Sequence, residues 1–140
     1  MTRAYLDTCC VIYLIEEVPG FSDPMRNHLA ANPDAILCVS PLVQLEALVK
    51  PLVDRDQALA SDYRDFLAEQ EWALIGDREF ELATHLRAAH RLKTPDALHL
   101  AAAQNHGCSE FWTNDDRLNQ AATAKSVNIL ARFEKAGPDP

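Results

Sequence analysis

Short apolar runs that alternate with helical segments constrain this chain more than any other feature. Runs of strand length stand at residues 3–6, 35–39, 72–75, 110–113 and 127–130. Helical segments are predicted between them, at residues 8–17, 23–31, 41–50, 54–69, 77–90 and 95–106. Strands separated by helices imply right-handed crossovers and a parallel sheet. We therefore predict an α/β fold of three layers, α/β/α, with a central parallel sheet of four to five strands.

The ends of the helices carry recognisable signals. Ser40 and Thr94 each precede a proline, which predicts a hydroxyl N-cap with proline at the first helical position. Asp77 is predicted to be the N-cap of the helix that runs to about His90. Pro51 is expected to end the helix that begins at residue 41, and Gly107 follows a predicted helix C-terminus.

Length and hydropathy bound the class of protein. At 140 residues the chain has the size of one domain, which we place at residues 1–133, followed by a loose tail at 134–140. No run approaches the roughly 18 apolar residues of a membrane span. The acid at Asp7 leaves no room for a signal peptide before it. We expect a cytoplasmic protein that does not contact membranes.

Cysteine usage and net charge narrow the function. Cys9, Cys10, Cys38 and Cys108 lack the paired spacing of a zinc site and are predicted to be small buried apolar residues. The net charge of −8, from 21 acids and 13 bases, argues against broad nonspecific binding of nucleic acid. It does not exclude a nuclease, because bound divalent cations change the local field.

Four acids stand beside the predicted strand and helix ends: Asp7, Glu46, Asp96 and Asp115. Taken singly, each has an ordinary explanation as a cap, a turn residue or a solvated helix position. Ligands of parallel sheets bind outside the carboxyl ends of the strands, where Asp7 and Asp115 fall. If the four converge, their charges repel unless a cation is present, and oxygen ligands suit Mg²⁺ or Mn²⁺.

The ordered set of motifs resembles the PIN-domain ribonucleases of the VapC toxin type, over about residues 3–131. The matching segments are Leu6-Asp7-Thr8, Ser40-Pro41 with Glu46, the stretch from Thr94 to Ala101, and the stretch from Phe111 to Asp115. The resemblance implies a Mg²⁺-dependent endoribonuclease that cuts single-stranded or loop regions of a structured RNA such as tRNA or rRNA. It implies catalytic and metal-binding roles for Asp7, Glu46, Asp96 and Asp115. It gives supporting positions to Thr8, Thr113 and Asn114, and we add Asp116 as an outer candidate.

The same resemblance implies two protein partners. One is a second copy of the chain in a homodimer, and the other is a cognate VapB-type antitoxin whose C-terminal segment blocks the site. The apolar residues of segment 43–59 are candidate walls of the groove that receives it. The competing interpretation is that these residues are core.

Cations near the acids could hold RNA phosphates. The candidates are Arg87, Arg91, Lys93 and Arg117, and the competing interpretation is ordinary solvated surface charge. His99 shares a helix face with Asp96, and we interpret it as a core histidine with a hydrogen-bond partner rather than a ligand or base. The remaining histidines show no zinc cluster.

Two other enzyme classes and one binding module are the alternatives to this function. A phosphatase of the haloacid dehalogenase type needs a second aspartate where this chain has Cys9. A receiver domain needs an aspartate where Ser40 follows the run 35–39. The alternative from a different class is a degenerate PIN fold that binds protein or RNA without cleavage, and binding of a divalent metal would separate it from the nuclease.

Overall fold

Five parallel strands form the central sheet in the part of the chain that a computed structural model describes, residues 2–118, 121 and 125–129. The strands are Arg3–Leu6 (β1), Ile36–Val39 (β2), Glu71–Trp72 (β3), Glu110–Thr113 (β4) and Lys125–Asn128 (β5). Their order across the sheet is β3-β2-β1-β4-β5. β1 is therefore the central strand, and the predicted parallel sheet is confirmed.

Helices cover both faces of this sheet. They are Thr8–Ile15 (α1), Ser22–Ala31 (α2), Pro41–Val53 (α3), Gln57–Ala68 (α4), Asp77–His90 (α5) and Thr94–Asn105 (α6). On one face, the ring of Trp112 meets His28 of α2 at 4.3 Å between centroids. On the other face, Tyr5 stacks on Phe111 and meets His99 of α6. The three-layer architecture predicted from the sequence is confirmed.

The core is centred on β1 and β4. Tyr5, Leu6, Phe111 and Trp112 are fully buried, and burial of each such side chain stabilises the fold by about 1.5–3 kcal/mol. Because Leu6 and Trp112 lie opposite each other in the parallel register, the two strands end together. Asp7, which follows Leu6, and residues 113–115, which follow Trp112, are thereby brought to the same edge of the sheet.

Three predicted helix ends are wrong. α3 continues through Pro51 to Val53, because this proline lies in the last turn, where the Asp54 amide still donates to Lys50 O at 2.9 Å. α6 begins at Thr94 itself, with Lys93 as its N-cap and no side-chain cap. At α5 the N-cap is Gly76 rather than Asp77, since the Glu79 carboxylate reaches back to accept from the Gly76 amide at 2.8 Å.

Smaller differences concern the edge strands and the chain end. The strand predicted at 72–75 lies at Glu71–Trp72, and the one predicted at 127–130 lies at Lys125–Asn128. The predicted tail, residues 134–140, lies outside the described residues, and the domain limits at 1–133 stay a prediction. Among the helices that the structure describes, none has the length and apolar character to cross a membrane.

Candidate active site

Asp7 accepts hydrogen bonds on both of its carboxylate oxygens. It follows β1 and caps α1, where its Oδ1 accepts from the Thr8 amide at 2.8 Å. Its Oδ2 accepts from the Thr113 hydroxyl at 2.8 Å. The Asp7 amide donates to Trp112 O at 2.9 Å, which ties the residue to β4. Both carboxylate oxygens thus have fixed directions at the edge of the sheet.

Two threonines connect Asp7 with other predicted acids. The Thr8 amide donates to Asp7, and the Thr8 hydroxyl donates to Glu46 Oε1 at 2.7 Å. The Thr113 hydroxyl, besides donating to Asp7, accepts from the Asp115 backbone amide at 3.2 Å. Hydrogen bonds to Thr8 and Thr113 therefore connect Asp7 with the Glu46 carboxylate and with the backbone of Asp115, and both threonines were predicted as supporting residues.

Glu46 has a second donor in His99. The ring Nε2 of His99 lies 2.7 Å from Glu46 Oε1 and 3.8 Å from Asp7 Oδ1. The pKa of Glu46 is lowered, mainly by this hydrogen bond, which outweighs the opposite effect of burial. His99 is 2% exposed, so it is a core histidine as predicted. Its partner is one of the four acids, which the sequence did not indicate.

Asp115 is paired with a cation from its own turn. The Nε of Arg117 lies 2.9 Å from Asp115 Oδ1 and 2.8 Å from Oδ2. The hydrogen bonds from Arg117 lower the pKa of Asp115. The arginine side chain is 74% exposed, so this pair is open to water and contributes little to the free energy of unfolding.

Asp96 is the acid that protein groups leave unbalanced. It is the third residue of α6 and half-buried. Burial raises its pKa, and the charge of Asp7 raises it further, while His99 and Arg117 oppose the shift. Within the described chain no side chain or amide donates a hydrogen bond to its carboxylate. Its mutual electrostatic influence with Asp7 and Asp115 places these three acids in one neighbourhood.

The donor set suits a hard divalent cation. All four acids offer carboxylate oxygens, the ligands that Mg²⁺ and Mn²⁺ prefer. In the described part of the chain, no three His, Cys, Asp or Glu side chains already stand around a common point. Glu46 and Asp115 face protein donors instead, so binding of an ion would require Asp115 to exchange Arg117 for it. Asp96, half-buried and without a donor, fits a cation best.

Two predicted supporting residues flank Asp115 in the sequence. The Asn114 side-chain amide donates to the Tyr13 hydroxyl at 2.6 Å, and the Asn114 backbone carbonyl accepts from Asn128. Asp116 begins the 3-10 turn Asp116–Leu118 and is exposed. Asn114 therefore positions α1 against the end of β4, and among the described residues neither side chain forms a hydrogen bond with the carboxylates of the four acids.

The predicted cations divide into two groups. Arg91 and Arg117 line one surface depression of about 240 Å³. Arg91 ends α5 in the left-handed conformation, with φ of 55°, which directs the chain back toward α6. Lys93 is exposed immediately before α6. The Nε of Arg87, in contrast, donates to Leu92 O at 2.8 Å, so this arginine helps to close the turn between α5 and α6.

α3 presents an apolar face to solvent. Val43, Ala47 and Leu48 are buried, as the core interpretation expects. Four large side chains on the same helix are 53–74% exposed: Leu45, Val49, Leu52 and Val53. Their spacing of four, three and one places them on one side of the helix. Leu52 also lines a depression of about 470 Å³ between the end of α3 and α4.

All four cysteines are free thiols, with Cys10, Cys38 and Cys108 buried and Cys9 half-buried, in agreement with the prediction.

Tyr5, which the sequence did not single out, lies between His99 and the predicted N-cap Ser40. The Tyr5 hydroxyl is 2.7 Å from His99 Nδ1 and 2.7 Å from the Ser40 hydroxyl. The signal available in the sequence was a tyrosine within an apolar strand that ends in an acid.

Comparisons with known proteins agree with the parallel α/β fold. The sequence profile of the PIN domain matches residues 4–124. Ribonuclease VapC46 of Mycobacterium tuberculosis is 29% identical over 133 residues, which are 94% of this chain and 98% of that protein. A toxin-antitoxin complex from Klebsiella pneumoniae contains a chain with a TM-score of 0.73 at 24% identity, covering 90% of this chain and 97% of that one. The structure of VapBC2 from Rickettsia felis, bound to a DNA fragment from its promoter, contains a chain with a TM-score of 0.71 at 17% identity. The match covers 90% of this chain and 98% of that one.

The raised pKa of Asp96 predicts that this acid destabilises the metal-free protein. Ionised Asp96 lowers the free energy of unfolding at neutral pH, and this cost disappears as the pH falls through the folded-state pKa. Metal-free Asp96→Asn should therefore melt higher than the original chain at pH 7, by about 1–3 °C. The difference should vanish below about pH 3.9, the pKa of an unfolded aspartate. Thermal melts of the apo proteins measure it.

Asp62→Asn is the matched control, because Asp62 is an exposed acid of α4. It removes the same charge far from the site and should leave the melting temperature within experimental error. A melting temperature of Asp96→Asn below that of the original chain at pH 7 would contradict the electrostatic assignment.

Proposed function

Because this chain belongs to the PIN domain family, we propose that it is a VapC-type endoribonuclease toxin. Its substrate is a structured RNA of the tRNA or rRNA class, cut in a single-stranded or loop region, and it acts in the cytoplasm. The cofactor is Mg²⁺, with Mn²⁺ as a substitute. The hydrogen bonds that connect Asp7 with Glu46 and with the backbone of Asp115, with Asp96 beside them, are the observation that supports this proposal most directly.

The four acids share one role in this mechanism, and two threonines support them. Asp7, Asp96, Asp115 and Glu46 supply oxygen ligands for the cation. When bound, Mg²⁺ lowers the pKa of a water molecule and offsets charge on the leaving oxygen of the phosphodiester. Thr8 and Thr113 fix the direction of the Asp7 oxygens through their donated hydrogen bonds. This fixed geometry reduces the rearrangement needed when the substrate binds.

Positive charges beside the acids hold the RNA. The surface depression that Arg91 and Arg117 share adjoins Asp115, which Arg117 contacts directly. A phosphate there would receive two guanidinium groups, whose fork geometry suits phosphate oxygens. Lys93 adds a further exposed charge three residues before Asp96. This local cluster explains how a chain of net charge −8 can bind RNA at one place only.

Cleavage of RNA tests the proposed enzyme. The purified, antitoxin-free protein is incubated with total RNA from its host, with Mg²⁺ or with EDTA, and new RNA ends are mapped. We expect discrete cuts that need the metal, and Asp96→Asn should reduce their rate by about a hundredfold or more, because it removes a ligand rather than a supporting group. Asp62→Asn should cleave at the original rate. Absence of cuts together with absence of metal binding would favour the non-cleaving binding module.

The salt dependence of RNA binding tests the cation cluster. In an Asp96→Asn background, which prevents cleavage, Arg91→Ala and Arg117→Ala should each weaken binding of the cleaved RNA. Each should also reduce the slope of log K against log salt by about 0.7, the value for one contact to a single strand. Fluorescence anisotropy at several salt concentrations gives the slope. Arg78→Ala, on the exposed side of α5, should leave it unchanged, and equal slopes for all variants would remove Arg91 and Arg117 from the RNA surface.

A cognate VapB-type antitoxin and a homodimer complete the proposal. The exposed face of α3 offers the apolar surface that the antitoxin's C-terminal segment would cover. Val49→Asp should weaken the complex with a co-expressed antitoxin at least tenfold, because it buries a charge in an apolar contact. RNA cleavage by the free variant should persist. Phe80→Asp, an exposed aromatic residue of α5, is the control.

Unchanged antitoxin affinity in Val49→Asp, measured by titration calorimetry, would exclude this face. Sedimentation velocity of the free chain gives its mass directly, and a monomer at micromolar concentration would contradict the homodimer.

A further inference from the structure

A buried line of hydrogen bonds connects the start of α3 with Glu46 on the same helix. The Val43 amide donates to the Ser40 hydroxyl at 3.3 Å. The Ser40 hydroxyl is 2.7 Å from the Tyr5 hydroxyl, which is 2.7 Å from His99 Nδ1. His99 Nε2 then meets Glu46 Oε1 at 2.7 Å. Ser40 and Tyr5 are fully buried and His99 is 2% exposed, so the bonds among these three residues do not compete with water, while the Glu46 side chain is 30% exposed.

The direction of each hydrogen bond follows from the donors available. Ser40 Oγ accepts from an amide, which leaves its own proton for the Tyr5 oxygen. The Tyr5 hydroxyl carries one proton, which it can donate to His99 Nδ1 at 2.7 Å. An imidazole that accepts at Nδ1 carries its proton on Nε2. Nε2 is the atom that faces the Glu46 carboxylate, which can only accept.

We propose that Tyr5 and Ser40 fix the tautomer of His99, and that Tyr5 and His99 are positioning residues for Glu46. The reverse direction would place the His99 proton on Nδ1 and set a bare ring nitrogen against the carboxylate. The hydrogen bond from His99 Nε2 to Glu46 therefore depends on the Tyr5 hydroxyl, which bonds to the other ring nitrogen of His99. This inference rests on the proposed function for its metal ligand, but the hydrogen-bond pattern itself does not.

The line orients one particular oxygen of Glu46. Thr8 and His99 both meet Oε1, and no described group donates to Oε2. Oε1 is thus held by two protein donors, and Oε2 is left for a cation. Because Ser40 caps α3 and Glu46 lies within the same helix, the line crosses to β1 and α6 and returns to α3. It fixes the position of this helix relative to Asp7 at the end of β1.

The tautomer is measured first, on the metal-free protein. Long-range ¹H–¹⁵N correlation spectra of labelled protein distinguish the ring nitrogen that carries the proton. We expect His99 to show a protonated Nε2 and an accepting Nδ1, and Tyr5→Phe to change the Nδ1 signal. Tyr63→Phe is the matched control, because it removes another buried hydroxyl that bonds to a carboxylate, that of Glu16, away from His99. A proton on Nδ1 in the original chain, either alone or together with one on Nε2, would overturn the proposal.

Metal affinity is measured second, by calorimetric titration with Mn²⁺ in the absence of RNA. Tyr5→Phe should bind Mn²⁺ about tenfold more weakly, the lower end of the effect of groups that support metal ligands. Tyr63→Phe should stay within twofold of the original chain. His99→Gln, which keeps a donor near the Nε2 position, should retain more affinity than His99→Leu. Equal affinities for Tyr5→Phe and Tyr63→Phe would overturn the positioning role.

The two proposals fail in different ways. If the original chain binds no Mn²⁺ and cuts no RNA, the proposed function fails, and the spectra still decide the tautomer. If it binds and cuts while the Tyr5 and His99 variants match it at every Mg²⁺ concentration, only the positioning role fails. Support requires that Tyr5→Phe need more Mg²⁺ for half-maximal cleavage yet approach the original rate at saturation. Circular dichroism and thermal melts establish that each variant is folded.

Discussion

Repulsion among carboxylates at one edge of the sheet is the constraint that orders the rest of this structure. Several acids held close together favour neutralisation of at least one of them, unless donors or cations intervene. Here the Thr8 and Thr113 hydroxyls stand between acids and donate to them. His99 and Arg117 serve the outer two, Glu46 and Asp115. The fold thereby supplies donors to three acids, and within the described residues the fourth, Asp96, accepts no hydrogen bond from a side chain or an amide.

The parallel sheet makes this arrangement available at little further expense. β1 and β4 are neighbours and end at the same level, so the residues after them meet without any long loop. Asp7 also caps α1 with the same carboxylate that it offers to the site. One residue thus follows a strand, caps a helix and places a carboxylate at the edge of the sheet, and loss of its side chain would remove both the cap and the carboxylate.

The sequence predicted the fold well because the fold depends on local patterns, and the roles of the four acids stay a prediction. Apolar runs with the length of strands, and acids placed directly after them, are legible without any knowledge of tertiary contacts. The 3-10 turn and the bond from Glu79 back to Gly76 were missed, because they depend on which nearby donor wins. The predicted helix end at Pro51 was wrong, because a proline in the last turn removes a single backbone hydrogen bond and the helix continues without it.

The partners of the acids could not be predicted, because they come from distant parts of the chain. Tyr5 and His99 are 94 residues apart in sequence, and no pattern in either segment indicates that their side chains meet. For the same reason the sequence did not predict that the Asn114 amide donates to the Tyr13 hydroxyl, and the supporting role of Asn114 stays a prediction. The pairing of Arg91 with Arg117 in one depression also required the path of the α5 to α6 turn.

The site has a rigid side and an open side, and this division bears on how RNA would bind. Glu46 and Asp7 receive hydrogen bonds from His99 and Thr113, which are buried. Asp115, on the other side, is held by an arginine that is 74% exposed. Under the proposed function, a phosphate that approaches from solvent would meet the exposed arginine first, and Arg117 would exchange Asp115 for it without disturbing the core. Buried groups would thus maintain the geometry of the acids, while the exposed arginine changes partner.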